Sequence, residues 1–201
     1  MPEPSQWQLM IERDPEHSVR YAERFRQMDR AGHDLLGEAR LVDAMVDRGA
    51  RILDAGCGPG RLDGYLHSLG HEVVGVDVDS HLIDVARAEH PGPTYVVADL
   101  AELDLPAHGI TEGFDAIVAA GNVMTFLAPS TRRDVLTRLR AHLRAQGRAA
   151  IGFGAGRGYE FGAFLADAAA AGFEPDVLLS TWDLRPYRAG STFLVAVLRG
   201  A

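Results

Sequence analysis

Three glycines at alternate positions, Gly56, Gly58 and Gly60, follow directly on a run that carries an acid near its end, Ile52-Leu53-Asp54-Ala55. No other feature of the chain constrains it as strongly. Glycine reaches backbone conformations closed to other residues and leaves no Cβ between the main chain and a ligand. An apolar run before the turn and a helical pattern after it, Arg61 to Leu69, make a strand–loop–helix unit. The start of that helix presents unpaired N–H groups to whatever fills the space above the loop.

Spacing separates two kinds of ligand loop. The dinucleotide fingerprint is Gly-x-Gly-x-x-Gly. Counted from Gly56, its third glycine would fall on Arg61, whereas glycine stands one residue early, at Gly60, after Pro59. With Asp54 leading in, this spacing resembles the first motif of the class I S-adenosylmethionine-dependent methyltransferases. The resemblance implies that the Gly56 carbonyl accepts from the cofactor amino group and that Gly58 permits close approach. It also implies that Asp54 orders the loop and reaches the amino group.

The next apolar run, Glu72 to Val76, ends in Asp77-Val78-Asp79. An acid roughly 20 residues beyond a glycine loop, at a strand end, can accept both hydroxyls of a ribose. Asp77 is expected to do so, with Val78 beside it, while Asp79 or Ser80 caps the helix Ser80 to His90. This step suits NAD as well as S-adenosylmethionine. A third run, Tyr95 to Ala98, ends in Asp99-Leu100, the form that the family's adenine motif often takes. By resemblance, Asp99 accepts from the adenine amino group and the Leu100 N–H donates to the ring. Phe114 to Val123 reads as a fourth strand and resembles the family's motif below the transferring methyl; that resemblance implies that Asp115 is structural and that Ala119 to Asn122, Ala120 among them, face the methionine moiety.

The carboxyl-terminal part adds topology. After a strand Ala149 to Phe153 and a helix Tyr159 to Ala171, Gly172 reads as a helix stop. Val177 to Leu184 and Thr192 to Leu198 are then strand-like, with Arg185 to Ser191 between them. That linker is too short for a helical crossover, so the two runs pair antiparallel. The expected fold is Rossmann-like α/β, doubly wound, with a mostly parallel seven-stranded sheet that ends in an antiparallel hairpin. One domain is expected over residues 1–201, a helical cap over 1–49 and the cofactor-binding core over 50–201.

Composition removes rivals. The 20 Lys+Arg residues are all arginine, so Schiff-base lysines and the Walker A loop are out of reach. The one cysteine, Cys57, lies in the glycine loop and suits a reducing compartment, hence a cytoplasmic location. Residues 1–18 mix acids and prolines and do not read as a secretory signal. No stretch approaches the roughly 20 apolar residues that span a bilayer. A formal charge of −8 opposes nucleic-acid binding. Arg132, Arg133, Arg138, Arg140, Arg144 and Arg148 are expected on the solvated face of one helical segment, because Leu136, Leu139 and Leu143 share it at helical spacing.

Before the first strand, Ser18 to Met28 and Asp34 to Asp47 read as helices, a segment that resembles the cap of small methyltransferases. Within it Tyr21 is either a hydrogen-bond donor to the cofactor carboxylate or a packing residue. Arg61 either pairs with that carboxylate or stands on the helix surface. The eight histidines show no metal-ligand spacing, and no metal is expected. His17 and His33, in the cap, are the better candidates for a base, while His67, His71, His81 and His90 read as surface residues. The resemblance implies methyl transfer from S-adenosylmethionine to a small molecule, with S-adenosylhomocysteine as product and no obligate protein nucleophile. A non-catalytic S-adenosylmethionine-binding protein and an NAD(P)-dependent oxidoreductase are the alternatives.

Overall fold

Alternation along the apolar runs decides which face of the sheet each side chain serves. On β1 (Arg51–Ala55) Ile52 packs with one buried cluster and Leu53 with another, and on β4 (Phe114–Ala119) Ala116 and Val118 divide from Ile117 and Ala119 in the same way. A sheet buried on both faces needs near-continuous apolar strands, which these runs are. The computed structural model describes residues 2–201; Met1, the first residue of the expected cap, lies outside the described residues.

The remaining strands are β2 (Glu72–Asp77), β3 (Thr94–Val97), β5 (Leu143–Gly154), β6 (Phe173–Leu179) and β7 (Phe193–Gly200). They form one seven-stranded sheet in the order β3-β2-β1-β4-β5-β7-β6. The pairings from β3 to β5 are parallel, and β7 lies antiparallel between β5 and β6. Helices α1 (Gln6–Arg13), α2 (Glu16–Arg30) and α3 (Gly37–Met45) precede the sheet. After β1, α4 (Arg61–Ser68) and α5 (Ser80–Glu89) follow in chain order, then α6 (Val123–Phe126), α7 (Arg132–His142) and α8 (Phe161–Ala170). Ala39 and Val42 of α3 and Leu62 and Leu66 of α4 cover one face, and residues of α7 and α8 cover the other. No helix among the described residues is long and apolar enough to cross a membrane.

Four expectations need correction. The sixth strand runs Phe173–Leu179 rather than Val177 to Leu184. Glu174, Pro175 and Asp176 disguise it, and they are tolerated because β6 is the sheet edge, with a register shift at Pro175. The arginine series does not lie along one helix, since α7 ends at His142 and Arg144 and Arg148 belong to β5. Nor is it a solvated face throughout. Arg132, Arg138 and Arg140 donate to the carbonyls of Gly158, Leu103 and Gly172, and Arg144 pairs with Asp115 at 2.6 Å. His71 is buried, with Nε2 2.9 Å from Asp43, because the turn before β2 tucks it beneath α3. The helix expected from Asp34 begins at Gly37, since Asp34 instead accepts from the Leu36 N–H and pairs with Arg40.

Candidate active site

The glycine loop is anchored by backbone groups. The Gly56 and Cys57 N–H groups both donate to the Val76 carbonyl, at 2.8 and 3.0 Å, which ties the loop to the end of β2. Gly56, at φ 90°, cannot carry a side chain: a Cβ there would run into Val123. Gly60, at φ 81°, caps α4, and a Cβ on it would stand 2.8 Å from both Ala86 Cβ and the Tyr95 hydroxyl. The loop thus has its shape only with glycine at these points.

Asp77, not Asp54, orders this loop. Its Oδ2 accepts from the Gly58 N–H at 2.8 Å and its Oδ1 from the Asp79 N–H at 2.9 Å. Burial pushes the Asp77 carboxyl up to about 6, against the pull of those N–H donors. Asp54 is buried and neither of its oxygens meets a donor among the described residues. Burial, with Asp77 adding to it against the pull of Arg61, raises its carboxyl to about 7. Asp99 accepts from the Ala101 N–H at 2.9 Å and caps a short 3-10 turn that begins at Leu100. Asp115 is structural, as expected: it accepts from the Arg51 N–H at 2.8 Å at the foot of β4.

Asp79 joins the core to the cap. Its Oδ1 caps α5 through the His81 and Leu82 N–H groups, at 3.0 and 3.3 Å. Its Oδ2 accepts from the Trp7 indole at 2.9 Å and from the Ser18 hydroxyl. Trp7 packs edge-on against Tyr21 and Phe126, with ring centroids 4.9 and 5.6 Å apart. Tyr21 spans the two glycine turns: a Cβ at Gly58 would lie 3.7 Å from its ring, and one at Gly121 3.9 Å from its hydroxyl. Arg61 is held by Glu38, at 2.6 and 3.2 Å, and by the Leu35 carbonyl. The cap therefore claims the guanidinium that the sequence offered to a cofactor carboxylate.

These elements enclose a cleft of about 850 Å³, counted out to its mouth. Asp54, Gly56, Gly58, Asp77 and Val78 line it. So do Asp99, Leu100, Ala120, Tyr21 and Arg61, so every binding residue expected from the sequence faces one space. Neither His17 nor His33 does; His17 packs on Trp7, and His33 borders a separate hollow behind α2. Phe25, expected with Tyr21 on the cap face turned to the cofactor, is in the lining, whereas sequence reasoning missed Ser5, Trp7 and Phe126. A signal for the first two was present, since Ser5-x-x-Gln8 is a capping box, and both of its hydrogen bonds form. Asn122 was expected to act through its backbone, and its side chain has a part of its own. This residue, left-handed at φ 68°, accepts from the Gly154 N–H at 2.8 Å and fixes the loop after β4 to β5.

Known proteins share this arrangement. Residues 52–147 match a family model described as a methyltransferase domain. A crystal structure of a TehB-like SAM-dependent methyltransferase from Corynebacterium glutamicum superposes with a TM-score of 0.88 at 50% identity, over 94% of this chain and 100% of that one. The chain belongs to the S-adenosylmethionine-dependent methyltransferases. Magnesium-protoporphyrin O-methyltransferase of Rhodobacter capsulatus is 36% identical over 122 residues, 57% of this chain and 50% of that protein. The 1,6-didemethyltoxoflavin-N1-methyltransferase of Burkholderia thailandensis shares the fold, with a TM-score of 0.66 at 20% identity, over 100% of this chain and 92% of that one. The chain spans half the length or less of the curated relatives it matches. As a methyltransferase it uses S-adenosylmethionine, and the nicotinamide reading is set aside by the terminal hairpin and by these relatives.

Proposed function

We propose that the protein transfers the methyl group of S-adenosylmethionine to a small-molecule acceptor inside the cleft beneath the helical cap. One observation carries the reading: a single cleft gathers acidic groups at three separated points, Asp54, Asp77 and Asp99, under a lid of aromatic rings. The residues fit this cofactor. Gly56 leaves room beside Val123 in the cleft wall that a Cβ would obstruct, and Asp54 has two buried oxygens without a donor. In this reading Asp77 holds the ribose, Asp99 and the Leu100 N–H hold the adenine, and Asp54 faces the amino group. Ala120 lies beside the methionine chain and Tyr21 covers it.

When bound, the cofactor supplies an already activated methyl group, so the protein's part is alignment and water exclusion. Trp7, Tyr21 and Phe126 exclude water, and the loops at Gly56 and Gly121 set the position of the reacting group. Among the described residues no histidine lines the cleft, and no base is assigned. A small acceptor is supported by the cap over the cleft. The relatives described above are named for magnesium-protoporphyrin and 1,6-didemethyltoxoflavin. Nucleic acid is disfavoured by the charge of −8. The buried, unpaired Cys57 supports a reducing, cytoplasmic setting.

A test is S-adenosylhomocysteine release across a panel of small acceptors, with RNA, DNA and protein as further arms. Turnover with a small acceptor alone is expected. Tight cofactor binding without transfer to any arm would mean a binding protein, and transfer to a macromolecule alone would overturn the acceptor class.

A further inference from the structure

Behind the glycine loop lies a carboxyl that the reading above does not use. Asp63, in the first turn of α4, is 0% exposed, and neither of its oxygens meets a donor among the described residues. It does not line the cleft. Room for it comes from Gly75 of β2, where a Cβ would stand 2.7 Å from Asp63 Oδ1. Gly75 is the register partner of Asp54 on β1, so the Asp63 carboxyl stands against the sheet on the side to which Asp54 turns; Asp54 is 1% exposed and does line the cleft. Two carboxyls this close and this dry cannot both be ionised, so at least one proton stays between them.

The surrounding groups leave that proton in place. The Cys57 thiol of the loop and the Tyr95 hydroxyl of β3 are both pushed up by burial and stay neutral. Tyr21 of α2 is raised for the same reason. Asp77 of β2 and Glu38 of α3 add negative charge around Asp54. Arg61 of α4 is the cation that acts on it most strongly, and Glu38 already holds Arg61 in a two-point ion pair. The carboxyl pair is short of positive charge, and the cleft is the side from which a cation can arrive.

We propose that Asp63 is a positioning residue that retains one proton against Asp54, so that the pair offers a single negative charge to the ammonium group of the cofactor's methionine moiety. Before binding, burial favours the neutral pair with a proton on each carboxyl. On binding, the Asp54 proton passes to solvent, the Asp63 proton stays, and the remaining charge matches one ammonium. The inference rests on the assignment of the cleft to S-adenosylmethionine.

The test is calorimetry at pH 7 in buffers of different ionisation enthalpy, which counts protons released on binding. Two probes separate the ends of the cleft: S-adenosylhomocysteine, and methylthioadenosine, which has the ribose and adenine but no amino group. With Asp54 near 7, S-adenosylhomocysteine should release about half a proton more than methylthioadenosine. In Asp63→Asn the amide stands in for the protonated carboxyl, so both the difference and the binding should persist, whereas Asp63→Leu, which cannot donate, should weaken S-adenosylhomocysteine at least tenfold and methylthioadenosine little. Equal release by the two probes in the wild-type protein, loss of the difference in Asp63→Asn, or equal weakening of both probes in Asp63→Leu would overturn the proposal. Should the leucine variant not fold, the two-probe comparison on the wild-type and Asp63→Asn proteins decides. Failure of both probes to bind would instead refute the cofactor assignment.

Discussion

The indole N–H of Trp7 donates to Asp79 Oδ2 at 2.9 Å, and the same carboxylate caps α5 through its other oxygen. One buried side chain thereby fastens the first helix of the cap to the helix that follows β2. Asp79 in turn meets Asp77 through its own N–H. Lid and cofactor loop share a chain of hydrogen bonds that runs from Trp7 to Gly58.

Trp7→Phe keeps a ring but removes the donor, which leaves a buried carboxylate oxygen short of a partner. Such a loss costs about 1–3 kcal/mol. The cap should loosen first, because Trp7 is the buried residue through which α1 is held. Hydrogen exchange over residues 6–30 should quicken in the variant and slow in both proteins when S-adenosylhomocysteine is added. Unchanged exchange in Trp7→Phe would mean that the cap is held by other contacts.

Asp77 has a double part, and Asp77→Ala should show it. Removal leaves the Gly58 and Asp79 N–H groups without their acceptor, at about 1–3 kcal/mol each if water does not reach them. Both the melting temperature of the free protein and cofactor affinity should fall, the latter at least tenfold. Loss of affinity alone would confine Asp77 to the ligand, and loss of stability alone would confine it to the loop.

Steric demand at the first glycine can be isolated. Gly56→Ala places a methyl group against Val123, and it adds strain because φ is 90°. Left-handed backbone costs a non-glycine residue on the order of 1–2 kcal/mol. Gly56→Ala should abolish measurable cofactor binding, and Gly56→Ala with Val123→Ala should recover part of it but not all. Full recovery would show that backbone conformation carries no weight there.

The sheet and the residues that line the cleft were legible because both are written locally. Asp54 to Gly60, Asp77 and Asp99-Leu100 all sit at strand ends, and the strand pattern alone brings them to one edge. What the sequence concealed depends on contacts made at long range. Asp79 reads as a helix cap, and nothing local says that it also receives Trp7 and Ser18, 72 and 61 residues away. Arg61 reads as free, yet α3 supplies Glu38 to hold it. The end of α7 carries neither glycine nor proline, so Arg144 and Arg148 continue a helical pattern although β4 draws them into a strand. Pro175 hides β6 for the opposite reason, since only its edge position makes a proline acceptable there.

Stability of the free protein should depend on pH in a definite sense. Asp54 and Asp77, held near 7 and 6, bind protons in the folded chain that the unfolded chain has already lost. Their contribution is complete below about pH 4 and disappears as pH rises through 6 and 7, by about 1.4 kcal/mol per pH unit for each excess proton. Asp43 and Asp115 lie below the usual range and oppose this at the acid end, where their contribution is lost as pH falls. Thermal melts should show greatest stability near pH 5 and a decline towards pH 8. Asp63→Asn should flatten that decline; a melt that rises from pH 5 to 8 would contradict the assignment.

The most direct test of the account is isothermal calorimetry with S-adenosylhomocysteine and NAD, each titrated into the wild-type protein at pH 8. The cleft described here predicts micromolar binding of S-adenosylhomocysteine, about −8 kcal/mol, and no heat with NAD. Binding of NAD without binding of the sulfur compound would contradict it.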